Sequence, residues 1–261
     1  IGIITRSNYS SLMDHIRMGR DWDLNRKNSG IAVFPPYASN TSHNVFKGKI
    51  EALYGIMDYI GNSDDEYVIV TNSNIIASID FDEVYAAHVA NKADITMLTY
   101  TAKPTTSKRV LVESDKKGMV KGMRITRTAS NQECEIGLNC YIFKRTQFMS
   151  LITENYERGR IDLEKDILQA NIDKLKIFAY KVKGHASIID DVKSYYTESM
   201  AILDNDIRNS LFYSVGKVFT KVKDSVPTRY CEGAKVVNSL IADGCKINGK
   251  VENSILFRGV I

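Results

Sequence analysis

The fold class is decided by the stretch Tyr67-Val68-Ile69-Val70-Thr71-Asn72-Ser73-Asn74. Its first four residues are aromatic or β-branched, which is typical of a strand covered on both faces. Four small polar residues follow, and ligands of parallel α/β sheets bind beyond the carboxyl ends of strands. A metal-binding carboxylate is expected in such a loop, but the next one is Asp80. The stretch therefore predicts the central strand of an α/β sheet, followed by a candidate site that lacks its acid.

Strands and helices alternate along most of the chain, which predicts a largely parallel α/β sheet. A hairpin of residues 109–113 and 119–125 makes this sheet mixed. Residues 50–60 and 81–91 are predicted helices, and in the second Val84, Tyr85 and His88 are expected to face inward. The other predicted strands are 1–5, 31–34, 94–100, 136–143, 175–182 and 215–222, and the other predicted helices are 146–156, 162–170 and 192–203.

The last stretch repeats itself, because residues 236–247 are echoed by residues 251–261. Aliphatic residues recur about every half-dozen positions, with Asn-Ser and Gly at the corners, which is typical of a hexapeptide β-solenoid. Each coil buries its aliphatic row only against the next, so about three coils are needed for stability. About two are visible, and the natural protein is therefore expected to continue past Ile261. The alternative is a pair of hairpins.

Composition excludes several classes of function. The net charge of +4 does not indicate a nucleic-acid partner, and no apolar run approaches the ~20 residues of a membrane helix. The chain lacks an initial Met and begins within a predicted strand, so it is expected to be a fragment. The cysteines lack metal-ligand spacing and are expected to be free thiols in a reducing cytoplasm; they are Cys134, Cys140, Cys231 and Cys245.

Charged residues at predicted helix starts leave alternatives open. Lys47 and Lys49 flank Gly48 and either bind a phosphate or are solvated. Asp190 and Asp191 precede a helix, where carboxylates ordinarily act as N-caps. No nucleophile-elbow, zincin or P-loop motif is present in the sequence. A basic cluster around the hairpin is either a solvated face or an anion site; it comprises Lys116, Lys117, Lys121, Arg124 and Arg127.

The chain resembles the bacterial ADP-glucose pyrophosphorylases, the glucose-1-phosphate adenylyltransferases of glycogen biosynthesis. The segment Gly48-Lys49-Ile50-Glu51-Ala52-Leu53 stands where that family has Gly-Thr-Ala-Asp-Ala-Val. The segment Asp162-Leu163-Glu164-Lys165-Asp166-Ile167 is similar to the family's Asp-Phe-Gly-Lys-Asp-Ile. Residues 1–17 look like the family's second strand and helix, residues 194–196 like its Tyr-Tyr helix, and residues 238–245 like its solenoid.

The resemblance implies a nucleotide-diphospho-sugar transferase-like fold, which is Rossmann-like with a mixed, mostly parallel sheet. We expect this α/β domain at residues 1–205 and a linker at 206–232. A truncated left-handed parallel β-helix is expected at residues 233–261. The family's N-terminal strand and Gly-rich pyrophosphate loop are expected to lie before Ile1.

The resemblance also implies which residues would form the site. Vestigial substrate-binding positions are expected at Gly48, Lys49, Glu51, Gly137 and Asp162. The family's Ala-Gly-Asp-His metal loop appears as residues 72–75, so the metal-binding Asp aligns with Asn74. The second metal-binding Asp aligns with Ile188. The family's Glu-Lys-Pro falls near Thr126, and neither the Glu nor the Lys is kept.

These departures predict impaired catalysis, because nucleotidyl transfer depends on Mg²⁺ and proteins usually hold Mg²⁺ with carboxylates. Mg²⁺ and ATP are implied for the family, but no strongly bound cofactor, no metal site and no catalytic residue are expected here. We expect a regulatory subunit that joins a catalytic homologue in a cytoplasmic hetero-oligomer. That hetero-oligomer is expected to be a tetramer. Neither nucleic acid nor a membrane is an expected partner.

Two alternatives to the regulatory subunit stay open at this point. The first is a weakly active enzyme that holds its metal with Asp80, Asp190 or Asp191. The second is a sensor of a nucleotide or sugar phosphate that acts alone.

Overall fold

The computed structural model describes residues 1–6, 9–26, 30–35, 46–220 and 223–261. These residues form two compact units. The first comprises residues 1–73 and 80–181, and the second comprises residues 74–79 and 182–261. His43 and most of the polar loop expected at residues 37–46 lie outside the described residues.

The described part of the chain contains sixteen strands and seven α-helices. The strands are β1 (Gly2–Ile4), β2 (Ala32–Phe34), β3 (Tyr67–Thr71), β4 (Ile75–Ala77), β5 (Ile95–Ala102), β6 (Arg109–Ser114), β7 (Val120–Thr126), β8 (Cys134–Lys144), β9 (Ile177–Lys181), β10 (Ala186–Ile188), β11 (Arg229–Tyr230), β12 (Lys235–Val237), β13 (Leu240–Ile241), β14 (Lys246–Ile247), β15 (Lys250–Glu252) and β16 (Ile255–Leu256). The helices are α1 (Ser10–Ile16), α2 (Lys49–Tyr54), α3 (Met57–Gly61), α4 (Phe81–Ala90), α5 (Arg145–Glu157), α6 (Val192–Ala201) and α7 (Asn205–Phe212). Short 3₁₀ turns lie at Arg20–Trp22 and Gln169–Asn171, and a π-helical turn at Leu163–Leu168.

The first unit is built on a six-stranded sheet with β8 at its centre. Strand β8 pairs antiparallel with β5 over almost its whole length, with β3 through residues 140–144, and with β6 at Ile136. Strand β7 lies outside β6, and β9 lies parallel to β5. Strands β3, β5, β6 and β9 therefore run in one direction, and β7 and β8 in the other. The predicted α/β fold with a mixed sheet is confirmed, and most of the strands in the sheet run in the same direction. Separately from it, β1 and β2 pair in parallel.

Strand β3, expected to be central and covered on both faces, is only partly buried. Ile69 is 44% exposed, whereas Ile142, its partner in β8, is 1% exposed. Within the described residues β3 has one hydrogen-bonded neighbour, while β8 has three. A run of β-branched residues indicates a preference for strand geometry. It does not by itself indicate that both faces of the strand are buried. Within the described residues, β3 is therefore not the central, fully covered strand that was expected.

Two predicted helices differ in detail from those observed. The helix predicted at residues 50–60 is broken into α2 and α3 at Gly55, a residue that lowers helix stability. In α4, Val84 and His88 are buried as predicted, but Tyr85 is 45% exposed.

Helices α2 and α5 and the π-helical turn pack on the core that positions the candidate site. Ile50 in α2, Phe148 in α5 and Leu163 in the turn are fully buried with Phe143 of β8. Burial of each such side chain contributes about 1.5–3 kcal/mol. The start of α2 and the start of the π-helical turn are therefore held firmly in the same unit.

The second unit contains the antiparallel pair β4–β10, helices α6 and α7, and the C-terminal repeat. Helix α7 falls inside the linker predicted at residues 206–232, and its N-cap is Asp204, which accepts from the amides of Asp206 and Ile207. Residues 215–220 do not form the predicted strand, and residues 221–222 lie outside the described part.

The C-terminal repeat forms parallel pairs of short strands. Strand β12 pairs with β15 and β13 with β16, each at an offset of one repeat, and β11 pairs with β14. Asn238 and Asn253 occupy equivalent corners with φ of 44° and 48°, and Asn238 Nδ2 donates to Asn253 Oδ1 at 2.7 Å. Parallel pairing excludes the hairpin alternative for these strands. A left-handed hexapeptide β-helix stays a prediction.

No helix among the described residues has both the length and the apolar character that a membrane span requires.

A pH-dependent contribution to stability arises at His88, which is 3% exposed and whose Nδ1 lies 2.8 Å from Thr96 Oγ1. Burial lowers the pKa of His88, and the charge of Asp94 opposes this only in part. As the pH falls below about 6.5, the unfolded chain takes up a proton before the folded one, so the free energy of unfolding decreases. We expect His88→Gln to flatten this decrease by up to about 1.4 kcal/mol per pH unit, measured by urea denaturation between about pH 7.5 and 5.5.

The matched control is His15→Gln, on the exposed side of α1. A wild-type pH slope retained in His88→Gln would show that His88 does not titrate in this way.

Candidate functional site

The two positions aligned with metal ligands are neighbours in the second unit. Strand β4 follows Asn74 directly, and its register places Ile75 opposite Ile188 of β10. Asn74 Nδ2 donates to Ile189 O and to Asp190 Oδ1, both at 3.0 Å. The amide of Asn74 therefore joins the two segments through hydrogen bonds.

The residues at these positions do not fit Mg²⁺. Mg²⁺ prefers oxygen ligands, usually one or two carboxylates. Ile188 is aliphatic and 2% exposed, and Asn74 directs its amide N–H group, not its oxygen, toward Asp190. Asn74 Oδ1 is buried and has no hydrogen-bond partner within the described residues. The described part of the chain also contains no group of three or more His, Cys, Asp or Glu side chains arranged to hold a metal.

The three carboxylates considered as replacement ligands each make local hydrogen bonds. Asp80 caps α4 by accepting from the amides of Asp82 and Glu83 at 3.0 and 3.2 Å. Asp191 caps α6 in a capping box with Ser194, as predicted for an N-cap carboxylate. Asp190 accepts from Asn74. Each of the three acids therefore takes part in hydrogen bonds that stabilise local structure.

Three of the predicted substrate-binding positions meet in the first unit. Gly48 lies against the chain at Ile161, where an added Cβ would come within 2.3 Å of Ile161 O. Ile50 N donates to the same oxygen at 3.2 Å. This close approach brings Lys49 beside the segment that begins at Asp162.

A four-member ion-pair cluster results, which we call the charge cluster: Lys49, Lys108, Asp162 and Glu164. Lys49 Nζ pairs with Glu164 Oε1. Lys108 Nζ lies 2.5 Å from Asp162 Oδ2 and 3.3 Å from Glu164 Oε2. The Glu164 side chain is only 3% exposed, whereas those of Lys49 and Lys108 are 34% and 32% exposed. Both oxygens of a buried carboxylate are therefore held by lysines that reach solvent.

The electrostatics of the Lys108–Asp162 pair favour its ionised form. Burial opposes the charge on Lys108, but the hydrogen bond to Asp162 and the charge of Glu164 raise its pKa overall. Burial likewise opposes the charge on Asp162, but its hydrogen bonds to Lys108 and to the Lys165 amide lower its pKa. Tyr141 donates to Glu164 Oε1 at 3.4 Å, and burial together with Glu164 raises the Tyr141 pKa well above its usual value. Tyr141 therefore stays a neutral donor.

Local hydrogen bonds build the acidic side of the charge cluster. Asp162 caps the π-helical turn, its Oδ1 accepting from Lys165 N at 2.9 Å. Asp166 Oδ2 accepts from the amides of Ile161 and Asp162 at 3.1 and 3.0 Å. Single π-helical turns are frequent at functional sites. Asp162 and Asp166 thus stabilise the π-helical turn, and the turn directs the Glu164 side chain into the protein.

The other predicted site residues have separate environments. Glu51 accepts from Lys47 N at the start of α2. Gly137 lies opposite Thr99 in the sheet, where an added Cβ would be 3.2 Å from Met97 Sδ. Thr126 lies opposite Arg109, the residue after Lys108, and its hydroxyl accepts from Thr128 N at 3.0 Å. Of these positions, Thr126 lies at the end of the sheet that carries Lys108.

Sequence reasoning missed Lys108 and the pairing role of Glu164. Glu164 was visible as a departure, because it replaces the Gly of the family's Asp-Phe-Gly-Lys-Asp-Ile. Lys108 carried no such signal. Lys49 was expected either to bind phosphate or to be solvated, but it is paired with Glu164 instead.

Comparisons with known proteins agree with this architecture. The sequence model of the Nucleotidyl transferase family matches residues 1–205. Over its whole length the chain is 29% identical to the "Glycogen biosynthesis protein GlgD" of Bacillus subtilis (strain 168) and 30% identical to that of Geobacillus stearothermophilus, covering 66% of each. It is 25% identical to the "Glucose-1-phosphate adenylyltransferase" of Pseudothermotoga lettingae, again over the whole chain and covering 62% of that protein.

The chain thus spans slightly less than two thirds of the length of these relatives. The family match covers most of the chain and all of the first unit. The chain therefore belongs to the nucleotidyl transferase family, and its resemblance to the ADP-glucose pyrophosphorylases is confirmed.

Proposed function

We propose that this chain is a regulatory, catalytically impaired subunit of a glucose-1-phosphate adenylyltransferase, which makes ADP-glucose and pyrophosphate from ATP and glucose 1-phosphate in glycogen biosynthesis. The observation that carries the proposal is the pair of residues at the metal positions. Asn74 is an amide donor bonded to Asp190, and Ile188 is a buried aliphatic side chain.

The loss of metal-binding carboxylates is expected to impair catalysis because of the free energy that the cation contributes. In nucleotidyl transfer a divalent cation neutralises the triphosphate and stabilises the in-line transition state, which contributes several kcal/mol. Since about 1.4 kcal/mol corresponds to a factor of ten, loss of the cation slows the reaction roughly a thousandfold or more. Asn74 and Ile188 supply no carboxylate, so the fold is kept while the main electrostatic contribution to catalysis is lost.

The relatives support a role in glycogen biosynthesis, and two of them are GlgD proteins. We propose that the chain joins a catalytic homologous subunit in a cytoplasmic hetero-tetramer and changes its activity. An α/β domain at residues 1–205, a linker at 206–232 and a left-handed β-helix at 233–261 belong to the same proposal, with the β-helix used for assembly. Asn74, Ile188 and Thr126 occupy the positions of the family's site residues, and we propose that they do not supply the same chemistry.

We predict that the purified chain forms no ADP-glucose above background from ATP and glucose 1-phosphate at saturating Mg²⁺. When it is co-expressed with a catalytic homologue, both should elute as one complex in size-exclusion chromatography with light scattering. The complex should differ from the catalytic homologue alone in ADP-glucose formation. The catalytic homologue alone and the chain alone are the controls.

Substantial activity of the chain alone, lost in Asp190→Asn or Asp191→Asn, would favour the weakly active enzyme. Separate elution of the two proteins would instead rule out the regulatory complex and favour a sensor that acts alone.

A second prediction concerns Asn74→Asp. This change removes two donated hydrogen bonds and places a carboxylate oxygen about 3 Å from Asp190 Oδ1, so like charges repel. We expect the free energy of unfolding in EDTA to fall by about 1–3 kcal/mol. Millimolar Mn²⁺ should restore part of it, because the new carboxylate pair can ligate a divalent cation. Wild-type stability should not respond to EDTA or Mn²⁺.

The control for the cation effect is Asn74→Asp with Asp190→Asn, which should lose the response to Mn²⁺. Asn74→Ser removes the donors without adding charge and should also be indifferent to Mn²⁺. A wild-type protein stabilised by Mn²⁺ as strongly as Asn74→Asp would contradict the account of Asn74.

A further inference from the structure

Two departures from the family motifs pair with each other in the structure. By the resemblance, Lys49 and Glu164 stand where the family motifs have Thr and Gly. The positions are 115 residues apart, yet Lys49 Nζ and Glu164 Oε1 form an ion pair. Of the two, Lys49 is a position where the resemblance places a substrate contact, and Glu164 pairs with it.

The surroundings of Glu164 are those of a bound anion. One oxygen accepts from Lys49 and from the phenol of Tyr141, and the other lies 3.3 Å from Lys108. Two ammonium groups and a neutral hydroxyl are donors suited to a carboxylate or a phosphate. The lysines are about one-third exposed and the carboxylate is almost wholly buried, so the anion lies on the inner side of the two cations.

We propose that Glu164 is an internal occupant of an anion site, and that its carboxylate takes the place between Lys49 and Lys108 that the phosphate of a phosphate monoester would otherwise take. This inference rests on the proposed function, because it treats the charge cluster as a former substrate site. A ligand phosphate must displace a tethered carboxylate whose effective concentration is at least millimolar. In the wild-type chain, phosphorylated ligands therefore bind this site more weakly than they would without the Glu164 carboxylate.

The charge balance supports the proposal that Glu164 occupies the anion site rather than leaving it empty. Lys49 and Lys108 are matched by Asp162 and Glu164, so the charge cluster is neutral as it stands. Removal of the Glu164 charge leaves one net positive charge, which a phosphate can neutralise. Asp162 stays with Lys108 in either case, because the two are joined directly.

Glu164→Gln tests the proposal, since it removes the charge that holds the side chain between the two lysines and so lets a phosphate displace it. The probe is inorganic phosphate, titrated into the full chain by calorimetry. We expect Glu164→Gln to bind phosphate about tenfold or more tightly than wild type. The gain should disappear when Lys49→Gln is added. Glu154→Gln is the matched control, because Glu154 forms an exposed pair with Arg158 in the same unit, and it should bind phosphate like wild type.

Glu164→Gly, which restores the family residue, is the second variant and should show the same gain. Circular dichroism melting verifies that each variant is folded. Equal phosphate affinity of wild type and both folded variants would overturn the proposal, as would a gain that persists without Lys49. Unfolding of both variants would also overturn it, by showing that Glu164 is only a structural ion-pair partner.

These measurements need neither a catalytic homologue nor turnover. Failure of the phosphate experiment therefore leaves the proposed regulatory function standing, whereas activity of the wild-type chain alone would contradict that function directly.

Discussion

Hydrogen bonding along β8 is the constraint on which the first unit depends. Strands β3, β5 and β6 all pair with it, and its register with β5 shifts between Met97 and Thr99. Asn139 lies within this irregularity with φ of 55°, a conformation that Asn tolerates better than most residues. Its carbonyl accepts from Asn72 N at 3.1 Å. Two residues later, Tyr141 reaches Glu164. One strand thus anchors both the polar loop after β3 and the buried side of the charge cluster.

Most polar groups at both sets of predicted site positions have internal partners, although the buried Oδ1 of Asn74 has none within the described residues. In the second unit, the Asn74 amide is bonded to Ile189 O and Asp190. In the first unit, the carboxylate of Glu164 is bonded to two lysines. Buried polar groups are costly without partners, so this internal pairing stabilises the fold.

Much of the fold could be predicted from sequence, because its signals are local. Each strand predicted before residue 182 is present within two residues of its expected ends, and the repeat of residues 236–247 fixes the register of β12 with β15. Asp191 was identified as an N-cap from its place before a helix. The failures also have local causes. Burial of β3 depends on its neighbours, Gly55 interrupts an apolar stripe, and the short helix α7 was hidden in a polar segment.

The charge cluster could be predicted only in part. Gly48, Lys49 and Asp162 were identified through the family motifs, but their contact partners lie 54 to 115 residues away. Composition and periodicity do not encode which lysine meets which carboxylate. Only Glu164 left a trace, as a charged residue at a position where the family motif has Gly.

The central claim is that the metal positions no longer bind a divalent cation. Titration of the wild-type chain with Mn²⁺, followed by electron paramagnetic resonance of the free ion, tests this most directly. The account predicts no saturable site at micromolar Mn²⁺, with or without a non-hydrolysable ATP analogue. A saturable site that is lost in Asn74→Ala or Asp190→Asn would contradict it.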